Sequence, residues 1–343
     1  MRRILALLLC TVLLSLAGCV PVVDNTQPRV IAVISKKDGG SFWDSVLAGA
    51  EDAGLQNGYG ITFRGPETDG PQGVKAQRDL LDLAVSNEAE AIVFCAAGAG
   101  FEDKMAEIDR LNIPVVQFDS GLYPKDIAKL KMQKQYPVIA SVYTNHYQAG
   151  ALNAEHLFEA IRAEIARSMV PYAVGVLQHD MSTAGEERAQ GFLHRFTELA
   201  DADPDTKEKY TIQHVKCTSD PGKCYVDALD SLQKKGVRAV FLTNQDAVDQ
   251  VYDAITDNPH KYDYMVFTGF DSGKKQLAWL KNPAGPRLIG SVAQNPYELG
   301  YNAVLQAVNG LEARGVTAFV EIPAHWYDAD TVEDLLDRNI ISE

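Results

Sequence analysis

The chain of 343 residues lacks the motifs that commonly announce an enzyme. It has no His-Glu-x-x-His and no Gly-x-Ser-x-Gly, so neither a zinc hydrolase nor the nucleophile elbow of an α/β hydrolase has a footing. Its histidines, at 146, 156, 179, 194, 214, 260 and 325, form no ligand pair at helical spacing beside a carboxylate base, and no metal or cofactor is expected. A partial nucleotide fingerprint exists, because Gly98-Ala99-Gly100 follows an apolar run and Asp119 comes about 20 residues later. The third glycine position holds Asp103, whose charge would face a pyrophosphate, so a dinucleotide site is not expected either.

Positive charge is scarce too. The 32 Lys and Arg stand against 46 Asp and Glu, a net of −14 with no run of one sign, which argues against a nucleic-acid partner. Acidity of this kind keeps a protein in solution and marks no site by itself. No low-complexity tract interrupts the chain, and 46% apolar with 23% charged residues suits an α/β globule with one large or two ordinary cores.

Arg2 and Arg3 precede the apolar stretch Ile4 to Leu16, too short for a membrane-spanning helix, which reads as an export signal. It ends in Leu16-Ala17-Gly18-Cys19, which resembles the bacterial lipobox. Residues 1–18 would then be removed, Cys19 lipidated as the new N-terminus, and residues 19–28 left as a tether. A plain signal peptide with an incidental Cys19 is the alternative.

The mature chain keeps Cys95, Cys217 and Cys224. Cys217 and Cys224 bracket the turn-rich Thr-Ser-Asp-Pro-Gly-Lys, where an exported chain suits a disulfide; two free buried thiols are the alternative. Cys95 ends the run Ala91-Ile92-Val93-Phe94-Cys95 and reads as a small core residue.

From Val30 onward, short β-branched runs alternate with amphipathic stretches of helical length. Strands are predicted at Val30–Ser35, Ile61–Arg64, Ala91–Cys95 and Pro114–Phe118, with helices near 42–57, 72–87 and 101–112. A second series predicts strands at Tyr172–Leu177, Tyr210–Val215, Ala239–Thr243 and Met265–Gly269, with helices near 183–200, 222–235 and 246–257. Pro137–Tyr143, leading into a helix over 146–167, is a candidate crossover between the two series. A last portion, Leu288–Ala293, helix 296–312 and Ala318–Ile322, is too small to stand alone and must join one half. The alternation predicts an α/β fold of two similar halves, each a parallel sheet covered by helices.

Ligands of such sheets bind off the carboxyl ends of the strands. Ser41 with Asp44 three residues on fits a capping pair, so a helix is expected to start near Phe42, placing Phe42, Val46, Gly49, Ala50 and Ala53 on one face. Phe42 and Trp43 then stand at the mouth of the site. Flat aromatic faces suit the C–H face of a sugar ring, while carboxylates and amides take its hydroxyls; a plug for the end of the core is the competing reading of both rings.

Several landmarks fall in order along the chain: Ser41-Phe42-Trp43 with Ala48-Gly49-Ala50-Glu51; Ile113 to Ser120; Asn145-His146-Tyr147-Gln148-Ala149-Gly150; Glu187-Arg188-Ala189-Gln190-Gly191-Phe192; Asn244-Gln245-Asp246; Thr268-Gly269-Phe270-Asp271; and Val292 to Gly300. In these the chain resembles the type I periplasmic binding proteins of bacterial ABC transporters, especially the sugar-binding branch of ribose- and galactose-binding proteins, over roughly residues 29 to 328. The resemblance implies two Rossmann-like domains joined by three crossover segments, here 29–143 plus 295–323 and 144–294 plus 324–343, that close on one ligand without covalent chemistry. It implies that Phe42 and Trp43 stack on a sugar and that Asp119 accepts hydroxyl hydrogen bonds. Asn244, Asp271 and Gln294 would add polar contacts, with Thr144 where the first crossover meets the ligand. Asp119, Asn244, Asp271 and Thr144 are also common turn or cap types.

The departures bear on the ligand. Pentose binders of the family usually carry an arginine after the Asp119 position and another before the Glu-Arg pair, where this chain has Ser120 and Glu186. Two bidentate clamps are missing, which makes ribose doubtful. Glu186 suits a polyol or a ligand with a positive group, or is an exposed acid in a first helical turn. Asn145-His146 and Gly40-Ser41 also depart from the family pattern, close to the site. The expected protein is a monomeric, lipid-anchored binder that delivers a sugar or polyol to an ABC permease; a sensory accessory role, or a nucleoside or amino-sugar ligand, is the alternative.

Overall fold

The computed structural model describes residues 29–342, except 68–69, 218–220, 259 and 283–284, so the export signal, Cys19 and the tether lie outside the described residues. In the first half, β1 (Val30–Ile34), α1 (Ser41–Asn57), β2 (Gly60–Arg64), α2 (Gly70–Ser86), β3 (Ala91–Phe94), α3 (Glu102–Arg110), β4 (Val115–Phe118), α4 (Pro124–Gln133) and β5 (Val138–Tyr143) alternate. Then α5 (His146–Arg167) leads into β6 (Tyr172–Gln178), α6 (Thr183–Ala202), β7 (Tyr210–Lys216), α7 (Pro221–Lys234), β8 (Val237–Leu242), α8 (Gln245–Asp257), β9 (Val266–Phe270), α9 (Lys274–Leu280) and β10 (Arg287–Ala293). The chain ends in α10 (Pro296–Leu311), β11 (Phe319–Glu321), β12 (His325–Tyr327) and α11 (Val332–Asp337). The sequence reading did not anticipate α4, α9, β12 or α11.

Two six-stranded sheets result, ordered β11-β5-β4-β3-β1-β2 and β12-β10-β9-β8-β6-β7. This is the doubly covered α/β arrangement expected from the alternation. All pairings in the first sheet are parallel, β11 joining β5 directly. The second sheet departs from a purely parallel one, because β12 pairs antiparallel with β10. Only Ile322–Ala324 separate β11 in one sheet from β12 in the other.

Central strands are continuous apolar runs because both faces are covered. In β1, Ile31 and Val33 pack toward α1 and α10, while Ala32 and Ile34 pack with Leu81, Phe101 and Leu130 on the other side. Edge strand β2 instead alternates exposed and half-buried residues. One covering pair of helices in each half crosses at glycine. A Cβ on Gly49 or Gly300 would stand 2.0 Å from a carbonyl oxygen of the facing helix, as would one on Gly150, with Gly191 still closer at 1.9 Å. Backbone contact of this kind excludes every larger residue.

Cys217 and Cys224 are joined by a disulfide that ties the end of β7 to the first turns of α7. Cys95 is free and buried. Among the described residues no helix is long and apolar enough to cross a membrane.

Candidate ligand-binding site

Parallel strands end on one edge of their sheet, so the residues just after β1, β4, β5, β6, β8, β9 and β10 collect at two edges. Those edges face each other. Lys36 Nζ lies 3.5 Å from Asp180 of the second half, and Lys37 Nζ lies 3.7 Å from Asp246. Ser41 Oγ donates to Ser272 O at 3.4 Å and accepts from Gln245 Nε2 at 3.3 Å. The expected cap is thereby corrected. Gly40, φ 99°, is the N-cap of α1 without a side-chain cap bond, and the Ser41 hydroxyl is spent across the gap.

The two aromatic rings divide their work differently from the helical-face expectation. Trp43, with Val46, Gly49, Ala50 and Ala53, lies on the buried face of α1 and meets Phe118 edge-on at 6.2 Å between centroids. Phe42 is half-buried and packs edge-on against Trp43 at 4.9 Å. Trp43 therefore supports the end of β4, the strand that delivers Asp119.

Asp119 is half-buried, and its Oδ2 accepts a weak bond from Cys95 Sγ at 3.4 Å. Across the gap, Asp271 Oδ1 accepts from Gln294 Nε2 at 2.8 Å, and its Oδ2 lies 3.8 Å from Arg188 Nη1. Arg188 is buried over the face of Phe270, 3.6 Å from the ring centroid, and donates from Nη1 to Thr243 O at 2.9 Å and from Nε to His146 Nδ1 at 3.3 Å. Thr144 and Gln294 are buried beside the crossovers. Asn244 spends Oδ1 as the N-cap of α8, accepting from Ala247 N at 2.9 Å, which is the cap role weighed for it above.

Glu186 does not join this group. Its carboxylate accepts from Lys216 Nζ at 2.9 and 3.1 Å, and this bond lowers its pKa. The side chain that enters from this part of α6 is Arg188, two residues on, because α6 turns Ala184, Gly185, Arg188 and Ala189 inward. The sequence reading quoted Arg188 in a landmark without giving it a role, and passed over Lys36. A pair of lysines beginning two residues after the buried strand β1 was the available signal for the latter.

Burial and neighbouring charge set the protonation of the site. Burial, aided by Arg188, pushes the His146 imidazole down to about 3. Burial also lowers His179, whose Nδ1 bonds Thr243 Oγ1 at 2.7 Å. Burial works against the Lys36 ammonium, but Asp180, Cys95, Tyr123 and Asp119 together outweigh it and hold the lysine charged. Asp271 is raised by burial, opposed by Arg188. Two cations and three carboxylates thus converge with two neutral imidazoles, a set suited to hydrogen-bonding a polar solute. No His, Cys, Asp and Glu cluster fit to hold a metal occurs among the described residues.

A periplasmic binding protein domain matches residues 31–315. A solved structure described as an ABC transporter, LacI family transcriptional regulator, from Brachyspira murdochii is 34% identical over 92% of this chain and 99% of that one, with a TM-score of 0.80. The chain belongs to the periplasmic binding protein family, whose members are exported, non-enzymatic binding components of transport. Two further structures share the fold. A carbohydrate transporter solute-binding protein from Agrobacterium radiobacter in complex with D-arabinose is 23% identical over 92% of this chain and all (100%) of that one, TM-score 0.75. An ABC transporter solute-binding protein from Agrobacterium vitis with bound D-fucose is 21% identical over 91% and 100%, TM-score 0.73. A comparison with curated proteins gives no match.

Proposed function

We propose that the protein captures a small polyhydroxylated solute, a sugar or polyol, between its two halves and delivers it to an ABC permease. The observation that carries this reading is Asp119. Its carboxylate stands at the gap with no ion-pair partner among the described residues, opposite Asp271, Gln294 and Arg188 of the other half. A carboxylate so placed suits two hydroxyl donors. The solute-binding proteins of the same fold that hold D-arabinose and D-fucose support the class.

In this reading Phe42 and Trp43 form the aromatic wall, Asn244 and Thr144 flank the ligand, and Glu186 is the first-turn acid of α6, held by Lys216. The closing bodies are residues 29–143 plus 295–323 and 144–294 plus 324–343. Contacts from both shift an open–closed equilibrium. A lipid on Cys19 keeps the monomer at the membrane after removal of residues 1–18.

The test is thermal unfolding of the chain from residue 28, stripped of ligand by mild denaturant and refolded, against pentoses, hexoses, inositols, amino sugars and nucleosides. A rise in Tm with a sugar or polyol is expected, since ligand that binds only the native state stabilises it. A folded protein that responds to amino sugars or nucleosides alone, or to none of the panel, overturns the reading.

A further inference from the structure

Three buried side chains at the crossovers each keep a polar atom without a protein partner: Thr144 Oγ1, His146 Nε2 and Gln294 Oε1. They are 1%, 3% and 3% exposed. Thr144 and His146 flank Asn145 where β5 passes into α5, and Gln294 follows β10 at the return crossover. A buried polar group without a partner costs free energy, and three in two neighbouring crossover segments call for a common partner.

The hydrogen-bond polarity of that partner follows from the neighbours. A guanidinium only donates, so the bond from Arg188 Nε makes His146 Nδ1 the acceptor. The neutral ring then carries its proton on Nε2, an N–H donor without an acceptor. Gln294 donates its amide nitrogen to Asp271 Oδ1, which leaves Oε1 as a pure acceptor. His146 opens α5 three residues past the end of β5, at the sheet edge that faces the other half, and it feels Asp119 and Lys36 of the first half together with Arg188 and His179 of the second.

We propose that His146 is a specificity-determining ligand contact, its Nε2–H fixed as a donor by Arg188 and presented beside the Gln294 Oε1 acceptor. The ligand oxygen it reads is a hydrogen-bond acceptor, a ring oxygen or hydroxyl, and Gln294 takes a hydroxyl proton. An ammonium group on the ligand is excluded at that position, because it has no lone pair to offer. The inference rests on the sugar-binding reading above and names which part of the site reads which polarity.

The probes are D-arabinose, D-fucose, D-galactose and D-glucose, with the monodeoxy and monofluoro derivatives of whichever binds, measured by calorimetry. His146→Asn keeps an acceptor near the Nδ1 position for Arg188 and loses the Nε2 donor, so it should fold with an unchanged circular dichroism spectrum. It should bind the parent sugar about tenfold more weakly, and lose nothing further with the one derivative lacking the oxygen that His146 reads. His146→Gln, which restores an amide N–H near the Nε2 position, should recover part of the loss. At that sugar position fluorine, an acceptor only, should be tolerated better than hydrogen. Equal affinity of wild type and His146→Asn for every sugar that binds overturns the inference while leaving the sugar reading intact. If no sugar binds, the sugar reading fails, and the nitrogen-15 spectrum of the imidazole judges the donor separately. An Nε2–H tautomer from pH 6 to 8 upholds the donor assignment; Nδ1–H or an imidazolium overturns it.

Discussion

Asp119 and Asp271 occupy equivalent places in the two halves. Each follows the last residue of its half's fourth strand, each has a left-handed backbone, φ 52° and 61°, and each donates its N–H to a valine of the neighbouring strand, Val142 O at 3.0 Å and Val292 O at 2.8 Å. The side chains then diverge. Asp271 is engaged by Gln294 and lies near Arg188, whereas the Asp119 carboxylate, among the described residues, accepts only from the thiol of Cys95. One backbone device, used twice, thus yields one carboxylate committed to the protein and one available to a ligand.

Asp119→Asn tests that division. Asparagine tolerates the left-handed conformation as aspartate does, so Tm without ligand should stay within a few degrees. Affinity for the bound sugar should fall roughly tenfold to a hundredfold, because charge-assisted bonds to hydroxyls become neutral ones. Calorimetry on the purified variant checks it, and an unchanged constant would move Asp119 out of contact.

Lys36 and Lys37 pair with Asp180 and Asp246 only when the halves are together. The side chains keep 22% to 52% of their exposure, so each pair stabilises closure by less than about 1 kcal/mol and is screened by salt. The double variant Lys36→Ala with Lys37→Ala should therefore show a larger radius of gyration by X-ray scattering in the ligand-free state at low salt. Raising the salt should bring the wild type toward the variant. Identical scattering curves at every salt concentration would remove the pairs from closure.

Much of this was legible in the chain because parallel sheets write a plain code. Runs such as Ala91-Ile92-Val93-Phe94 are apolar throughout because both faces are covered, and the landmark glycines 49, 150, 191 and 300 mark the points where helices touch backbone to backbone. Asp119, Asp271 and Gln294 were singled out by the family resemblance, and each stands just past a strand end. Other features depended on information that local pattern does not hold. Ser41 fits a cap by spacing, yet its hydroxyl is used across the gap. Glu186 and Arg188 differ by two positions on one helix, and only the rotation of α6 decides which faces inward. The short helices α4 and α9, of 10 and 7 residues, have too few turns for periodicity to announce them.

Gly150→Ala probes the crossing of α5 and α6. The added methyl would stand 2.0 Å from the carbonyl oxygen of Arg188, a backbone atom that cannot rotate away. Separating the helices should cost about 3 kcal/mol and displace Arg188 from Asp271 and His146. Urea unfolding should show the midpoint falling without a change in slope, and ligand affinity should fall with it. A midpoint equal to that of the wild type would mean the crossing is looser than described.

The buried imidazoles give stability a definite pH dependence. The unfolded chain protonates its histidines as pH falls through about 6.5, whereas His146 in the folded protein stays neutral down to about 3 and His179 is likewise lowered. Stability from these rings is fully present above about pH 6.5 and is lost progressively toward pH 3, approaching roughly 1.4 kcal/mol per pH unit for each ring. Asp249 works in the opposite sense: burial raises its carboxyl to about 6, so it gains protons in the folded state first and offsets part of the loss between about pH 6 and 4. The informative quantity is therefore the difference between wild type and His146→Asn. The urea midpoint of the wild type should fall more steeply from pH 7.5 to 5 than that of the variant. Parallel slopes would show that His146 takes up its proton in the folded protein as readily as in the unfolded chain, and that its ring is not held neutral by burial and Arg188.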